Sequence, residues 1–153
     1  MPPARLVTPR RWDLAVKWRL FSHLLNGGDP DAERVYLWHI EQRSGARMRA
    51  GLSTDQWKRG LDDYLRSAIA LVHSMAKDRF SPTSPIPIDP DGELLDGSHR
   101  VGCALALGLE TVPVVRRANR AWAPAWDEAW FVANGMSGAD LERLRADYGC
   151  IRY

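Results

Sequence analysis

The segment from Ile86 to Gly108 constrains the fold of this chain more than any other stretch. It reads as a short strand, a turn, a run ending at Asp96, the tetrapeptide Gly-Ser-His-Arg and an alanine-rich stretch with helical spacing. Gly97 allows a positive φ and a close approach of the backbone to a ligand. The first N–H groups of the following helix lack intrahelical acceptors and carry partial positive charge. The pattern is therefore typical of a loop that binds phosphate.

We expect four consecutive residues, Gly97, Ser98, His99 and Arg100, to bind the phosphate groups. Arg100 supplies a planar, permanently charged guanidinium. His99 has an ordinary pKa of about 6.5, so that either protonation state is within reach. Ser98 is also a candidate N-cap. Asp-Gly-Ser is common turn chemistry as well, and the motif by itself leaves a purely structural turn open.

Asp96 ends the run before the loop, where a carboxylate can face a crevice. It could accept the proton of a substrate hydroxyl or bind Mg²⁺ through its oxygens. The alternative is that Asp96 only hydrogen-bonds its own turn.

The hexapeptide Leu95–Arg100, with the strand before it and Val112–Val115 after the helix, resembles the nucleotide-binding core of the ParB/sulfiredoxin superfamily. The resemblance covers about residues 54–116. This superfamily includes ParB domains, which bind CTP, sulfiredoxins, which use ATP, and free serine kinases, which phosphorylate a small-molecule hydroxyl. Ser98 stands where sulfiredoxins have a nucleophilic Cys, so the resemblance does not favour reductase chemistry. The Asp-Gly-X-His-Arg pattern is most similar to the free serine kinases.

This resemblance implies a kinase that uses ATP or ADP, with CTP as a further candidate, and Mg²⁺. Asp96 would be a catalytic or metal-binding carboxylate, and His99 and Arg100 would hold the transferred phosphoryl group. The expected acceptor is a hydroxyl of a metabolite, in particular an amino-acid-like one. The alternative is a ParB-like nucleotide-binding switch or adaptor without metabolite turnover. The chain after the core is short and rich in Trp rather than in clustered Lys and Arg, so DNA partition is not expected.

The superfamily kinases also use a carboxylate that precedes the motif. Glu41, Asp62 and Asp63 are the candidates, and the resemblance does not choose among them. We take Glu41 as the catalytic candidate because polar groups are concentrated around it on an otherwise aromatic helix.

Substrate-binding candidates lie on either side of the motif. His39 and Arg43 share one helix face at i,i+4, and Arg43 could bind a carboxylate. Lys58 lies near the start of the next helix, and Trp126 could form a wall over the ligand together with Trp122 and Trp130. The alternatives are a solvated face for the polar helix and ordinary core packing for the tryptophans.

Composition agrees with a small enzyme that forms a single domain over residues 1–153. The 21 basic and 19 acidic residues give a formal net charge of +2 without a basic run, and Arg5, Arg10 and Arg11 are interpreted as a solvated face. Nucleic acid is thus not expected as a partner, and a small-molecule substrate and a nucleotide are the expected ones. No apolar run approaches the roughly 20 residues of a membrane span, which favours a cytoplasmic location. The sequence leaves the oligomeric state open, a homo-oligomer included.

Periodicity and turn signals predict a mixed α/β fold, with a small sheet, flanking helices, a helical N-terminal extension and a helical C-terminus. The predicted strands cover residues 86–88, 93–96 and 111–116. The predicted helices run from Thr8-Pro9 to Asn26, from Asp29-Pro30 to Ser44-Gly45, from the capping box at 53–56 to Phe80, from Ser98 to Gly108, over 126–134, and from Ser137 to about Tyr148.

Overall fold

A computed structural model describes residues 1–49, 58–120 and 125–152, with the backbone alone for 46–49. After a 3₁₀ turn at Pro3–Leu6, the described chain contains helices and two short strands. They follow in the order α1 (Asp13–Asn26), α2 (Ala32–Arg49), α3 (Leu61–Asp78), β1 (Ile86–Ile88), α4 (Ser98–Ala106), β2 (Val114–Arg116), α5 (Glu128–Ala133) and α6 (Gly138–Ile151). The coarse prediction of a mixed α/β fold is confirmed, in a form dominated by helices.

The sheet consists of β1 and β2, which pair in parallel with Ile86 opposite Val114. Helix α4 lies in the connection between the two strands, and residues 89–97 join the end of β1 to its first turn. The prediction of a strand over 93–96 is wrong, since Leu94 alone among these residues pairs, in an antiparallel bridge with Ile88. Pairing stops there because the chain turns at Gly97 into α4.

Helix α4 packs along α1 at very short range. A Cβ added to Gly102 would lie 2.7 Å from the Cβ of Lys17, which shows that the two backbones approach more closely than side chains would allow. The core around this contact contains fully buried aromatic side chains from three further helices, namely Tyr36, Tyr64 and Phe131. Helix α4 is therefore held closely against α1 along this face.

Several predicted helix ends agree with the structure and others do not. Helix α1 ends at Asn26 before Gly27, as predicted, but it begins at Asp13 rather than at Thr8-Pro9. Helix α2 continues to Arg49, beyond the end predicted at Ser44-Gly45. Both of these residues are buried, and packing offsets the helix penalty of about 1 kcal/mol for glycine. The capping box predicted at 53–56 lies outside the described residues.

The last two helices begin with side-chain caps. Asp127 accepts a hydrogen bond from the Trp130 amide, and Ser137 accepts one from the Asp140 amide. The cap predicted at Ser137 is thus confirmed. None of the described helices has the length and apolar character needed to cross a membrane.

Candidate functional site

The N-terminus of α4 forms the centre of the candidate site. Gly97 is its N-cap and takes the left-handed conformation, with φ 89° and ψ 21°. No side chain caps this helix, in contrast to α5 and α6, and the first intrahelical bond joins the Val101 amide to the Gly97 carbonyl at 3.0 Å. The prediction of Ser98 as N-cap is wrong, because Ser98 is the first helical residue. The amides at the start of the helix are left for an external acceptor.

A cavity of about 530 Å³ opens at this helix end. Its volume lies within the range of small-ligand sites. The motif residues 96–100 and three other parts of the chain line it, through Arg43 of α2, Lys58 and four residues of α3, Tyr64, Ser67, Ala68 and Leu71. The structure therefore brings seven of the predicted site residues to one cavity, namely Asp96, Gly97, Ser98, His99, Arg100, Arg43 and Lys58.

The charges around the cavity favour an anion. Arg43, Lys58 and Arg100 contribute cationic groups, and Asp96 is the one carboxylate among the described lining residues. The Lys58 ammonium lies 4.6 Å from the centre of the Tyr64 ring, a cation–π contact that orients it. With the uncapped helix end, these groups form a cationic site beside one acid.

Arg100 has a structural task in addition to its place in the lining. Its Nη1 donates to the Ser84 carbonyl at 2.5 Å and to the Ser84 hydroxyl at 2.8 Å. Its guanidinium also lies 5.8 Å from the centre of the Phe80 ring. Arg100 therefore ties the proline-containing loop before β1 to the edge of the cavity.

His99 forms a hydrogen bond that sequence reasoning did not find. Its Nε2 lies 2.8 Å from the hydroxyl of Tyr36, which is fully buried in α2. Burial holds the pKa of His99 well below its usual value of 6.5, and the nearby charges of Lys17, Lys58 and Arg43 lower the pKa further. The imidazole is therefore neutral at physiological pH.

A buried ionic cluster lies behind α4. The Asp13 carboxylate accepts two hydrogen bonds from Arg11, at 2.8 and 2.9 Å, and one from the Lys17 ammonium at 2.6 Å. Burial by itself would raise the pKa of Asp13, but Arg11 and Lys17 hold it well below 3.8. Burial lowers the pKa of Lys17 to about 8. The interpretation of Arg11 as part of a solvated face is wrong, because it is 6% exposed and neutralises Asp13.

Three predicted site residues are absent from the described lining of this cavity. Glu41 is exposed on α2. His39 is fully buried, with its ring centre 5.6 Å from those of Trp130 and Phe131, and neither of its ring nitrogens has a hydrogen-bond partner in the part of the chain described. Burial, followed by the charge of Lys17, holds the pKa of His39 well below 6.5.

Trp126 is absent from the described lining of the cavity, but its ring lies beside Arg43, which belongs to that lining. The centre of its ring is 5.8 Å from the Arg43 guanidinium and 5.1 Å from that of Arg11. Trp126 would thus affect a ligand in the cavity only by orienting Arg43. Trp130 packs edge-on against the fully buried Phe131, with ring centres 5.0 Å apart, whereas Trp122 lies outside the described residues.

The alternative carboxylates also lie elsewhere. Asp63 accepts hydrogen bonds from the Arg59 amide at 2.9 Å and from the Arg66 guanidinium at 2.7 Å, and the first of these is the main reason that its pKa is lowered. These contacts tie Asp63 to the residues just before α3 and to Arg66 on the same helix. Neither Asp62 nor Asp63 lines the cavity.

The donor set limits how a metal could bind. Within the described ranges, no three His, Cys, Asp or Glu side chains are grouped as a metal site. Mg²⁺ is often held by one or two carboxylates with phosphate oxygens and waters, which a single Asp96 would satisfy. The residues present therefore fit a metal that arrives with a phosphate ligand, and they do not fit a cage built from the protein alone.

A second, more open cleft has a volume of about 780 Å³. It is lined by residues such as Arg79, Phe80 and Glu110 and by none of the predicted site residues. Its size alone gives no chemical reason to prefer it.

Comparisons with known proteins give no relative. Neither the scan of protein-family models, nor the search of curated proteins, nor the search of solved structures found a match to this chain.

Sequence reasoning missed Tyr36, Tyr64 and Lys17 as parts of the site region. Tyr36 and His99 are 63 positions apart, and no local signal predicts their contact. Asp13 and Lys17 have the i,i+4 spacing that surface ion pairs also show, so the spacing alone gives no sign of burial.

Proposed function

We propose that this protein is a nucleotide-dependent kinase that transfers a phosphoryl group from ATP or ADP to a hydroxyl of a small, acidic metabolite. The observation that supports it is that an uncapped helix end, three cationic side chains and one carboxylate line the same cavity. Phosphoryl transfer requires these elements, because catalysis depends on positioning and on neutralising charge on the phosphoryl oxygens.

The nucleotide, when bound, supplies the transferable phosphoryl group. The amides at the start of α4 would bind its phosphate oxygens, with the left-handed Gly97 allowing close approach. Lys58 and Arg43 lie on the side of the cavity formed by α2 and α3. They would neutralise the transferred group and bind an acid group of the acceptor, such as the carboxylate of an amino-acid-like molecule.

Asp96 would face the acceptor hydroxyl. It takes the proton as the hydroxyl oxygen bonds to the transferred phosphorus and the bond to the departing nucleotide breaks. Binding of Mg²⁺ is the other role that its chemistry allows. Both roles require the carboxylate, and the metal dependence of nucleotide affinity distinguishes them.

The test is consumption of nucleotide that depends on an acceptor. The protein is incubated with Mg²⁺, each of ATP, ADP and CTP, and a pool of hydroxylated amino and carboxylic acids, and phosphorus NMR monitors new phosphate esters. We expect Asp96→Asn to lower turnover by about 100-fold or more, the usual range for a lost proton acceptor. Asp62→Asn, an exposed carboxylate outside the lining, is the matched control and should retain turnover.

Two results would overturn the proposal. Full activity of Asp96→Asn would remove Asp96 from the mechanism. Nucleotide binding without acceptor-dependent consumption, accompanied by self-association in analytical ultracentrifugation, would instead support a nucleotide-dependent switch.

A further inference from the structure

We propose that the Tyr36 hydroxyl donates to Nε2 of His99 and so fixes the imidazole as a neutral donor that presents Nδ1–H to an anion in the cavity. Tyr36 is in this view a positioning residue. The inference rests on the proposed phosphate-binding role of the site and assigns His99 a function distinct from a cationic phosphate ligand or a proton acceptor.

The direction of the hydrogen bond follows from the two groups involved. The Tyr36 oxygen and His99 Nε2 are 2.8 Å apart, the usual length of a good hydrogen bond from a hydroxyl. A phenol is a stronger donor than a neutral imidazole N–H, and an imidazole nitrogen is the stronger acceptor. The Tyr64 carbonyl, a further acceptor for this hydroxyl in the described part of the chain, is more distant, at 3.5 Å. The hydroxyl proton therefore lies toward Nε2, which leaves the ring proton on Nδ1.

Burial and charge reinforce the neutral form. Tyr36 is fully buried, and its ring meets the His99 ring edge-on, with centres 5.8 Å apart, so the hydroxyl has little freedom to move. Cationic groups face His99 from the surrounding elements: Lys17 of α1, Arg43 of α2 and Lys58 before α3, with the buried His39 also nearby. A charged imidazolium would be repelled by these groups, and protonation at Nε2 would also break the bond from Tyr36.

The consequence concerns the ligand. His99 adds a donor to a lining that already offers amides, Lys58 and Arg43, so these groups together select an anion with several acceptor oxygens, such as a di- or triphosphate. A neutral donor also keeps its hydrogen bond as the pH rises past 6.5, where an imidazolium would lose its charge. His99 then takes no proton from a substrate, and that task is left to Asp96.

The tautomer is measured first, in the protein without ligand. Nitrogen NMR of protein labelled in its histidines distinguishes a protonated Nδ1 from a protonated Nε2, and His99→Gln assigns the His99 signals. At pH 7 we expect neutral His99 with the proton on Nδ1. In Tyr36→Phe, which keeps the ring but removes the hydroxyl, we expect a mixture of both tautomers. A proton on Nε2, an imidazolium, or an unchanged tautomer in Tyr36→Phe would overturn the inference.

The second measurement uses inorganic pyrophosphate with Mg²⁺ as the probe, by calorimetry from pH 6 to pH 8. The ratio of affinities of wild type and His99→Gln removes the titration of the probe itself. We expect this ratio to stay constant within about 2-fold, whereas an imidazolium ligand with a pKa of about 6.5 would lose about 25-fold over that interval. A ratio that falls with pH would overturn the inference. Failure of nucleotide turnover would overturn the kinase proposal alone, because neither measurement requires turnover.

Discussion

The contact between α1 and α4 allows a prediction whose magnitude follows from one distance. In Gly102→Ala the new Cβ would lie 2.7 Å from the Cβ of Lys17, and two backbone atoms of α1 lie 3.3 Å away. Carbon atoms pack best at about 3.5–4.0 Å, so the helices must separate by most of an ångström. Overpacking of this kind costs about 1–3 kcal/mol.

Gly149→Ala is the matched control, because Gly149 lies in α6 with nothing within 4 Å of the added Cβ. Both variants gain the same helix propensity, about 1 kcal/mol, and this gain cancels in their difference. We therefore expect Gly102→Ala to be less stable than Gly149→Ala by about 1–3 kcal/mol. Urea unfolding, followed by tryptophan fluorescence, gives the free energy of unfolding of both variants, and its dependence on urea concentration should be similar for the two. Equal stability of the two variants would refute the close packing of α4 on α1.

The remaining predictions concern the buried charges and the loop. Asp13→Asn leaves Arg11 without its buried partner and should lower the free energy of unfolding by about 3–5 kcal/mol. The control Asp91→Asn removes the partner of the exposed Arg120 and should lower the free energy of unfolding by less than about 1 kcal/mol. Because the pKa of Asp13 is lowered in the folded state, its contribution is complete above pH 3.8 and is lost as the pH falls further, which acid titration of both proteins tests. Gly97→Ala adds a Cβ at φ +89°, 2.8 Å from a buried isoleucine, and should abolish pyrophosphate binding in calorimetry, whereas Gly135→Ala, at φ +80° with open space, should cost stability alone.

Local chemistry made much of the fold predictable. The end of α1 before Gly27 and the start of α6 at Ser137 depend on residues within one turn, so the sequence signals them directly. The same holds for the turn at Gly97 that opens α4. Helix ends that depend on packing were harder to predict, and α2 runs through Gly45 because that residue is buried.

The residues of the candidate site also differ in whether the sequence alone predicts that they lie together. Residues 96–100 are contiguous, and their order predicts an anion site while leaving a purely structural turn open. The other lining groups come from α2 and α3, and periodicity shows that such helices have an apolar face without showing which partner it meets. The sequence therefore offers no reason to prefer Arg43 to Glu41 as a site residue, yet the structure brings Arg43 to the cavity and leaves Glu41 outside its lining.

By itself the sequence determined that a helix starts after a glycine turn, because hydrogen-bonding and φ preferences act between neighbours. Only the tertiary structure decided that Tyr36 meets His99 and that Asp13 is enclosed by Arg11 and Lys17. The physical reason is that an ion pair or a tyrosine hydroxyl has the same sequence pattern whether it faces water or the core. Burial arises from contacts between distant segments, and it is burial that sets their protonation and strength.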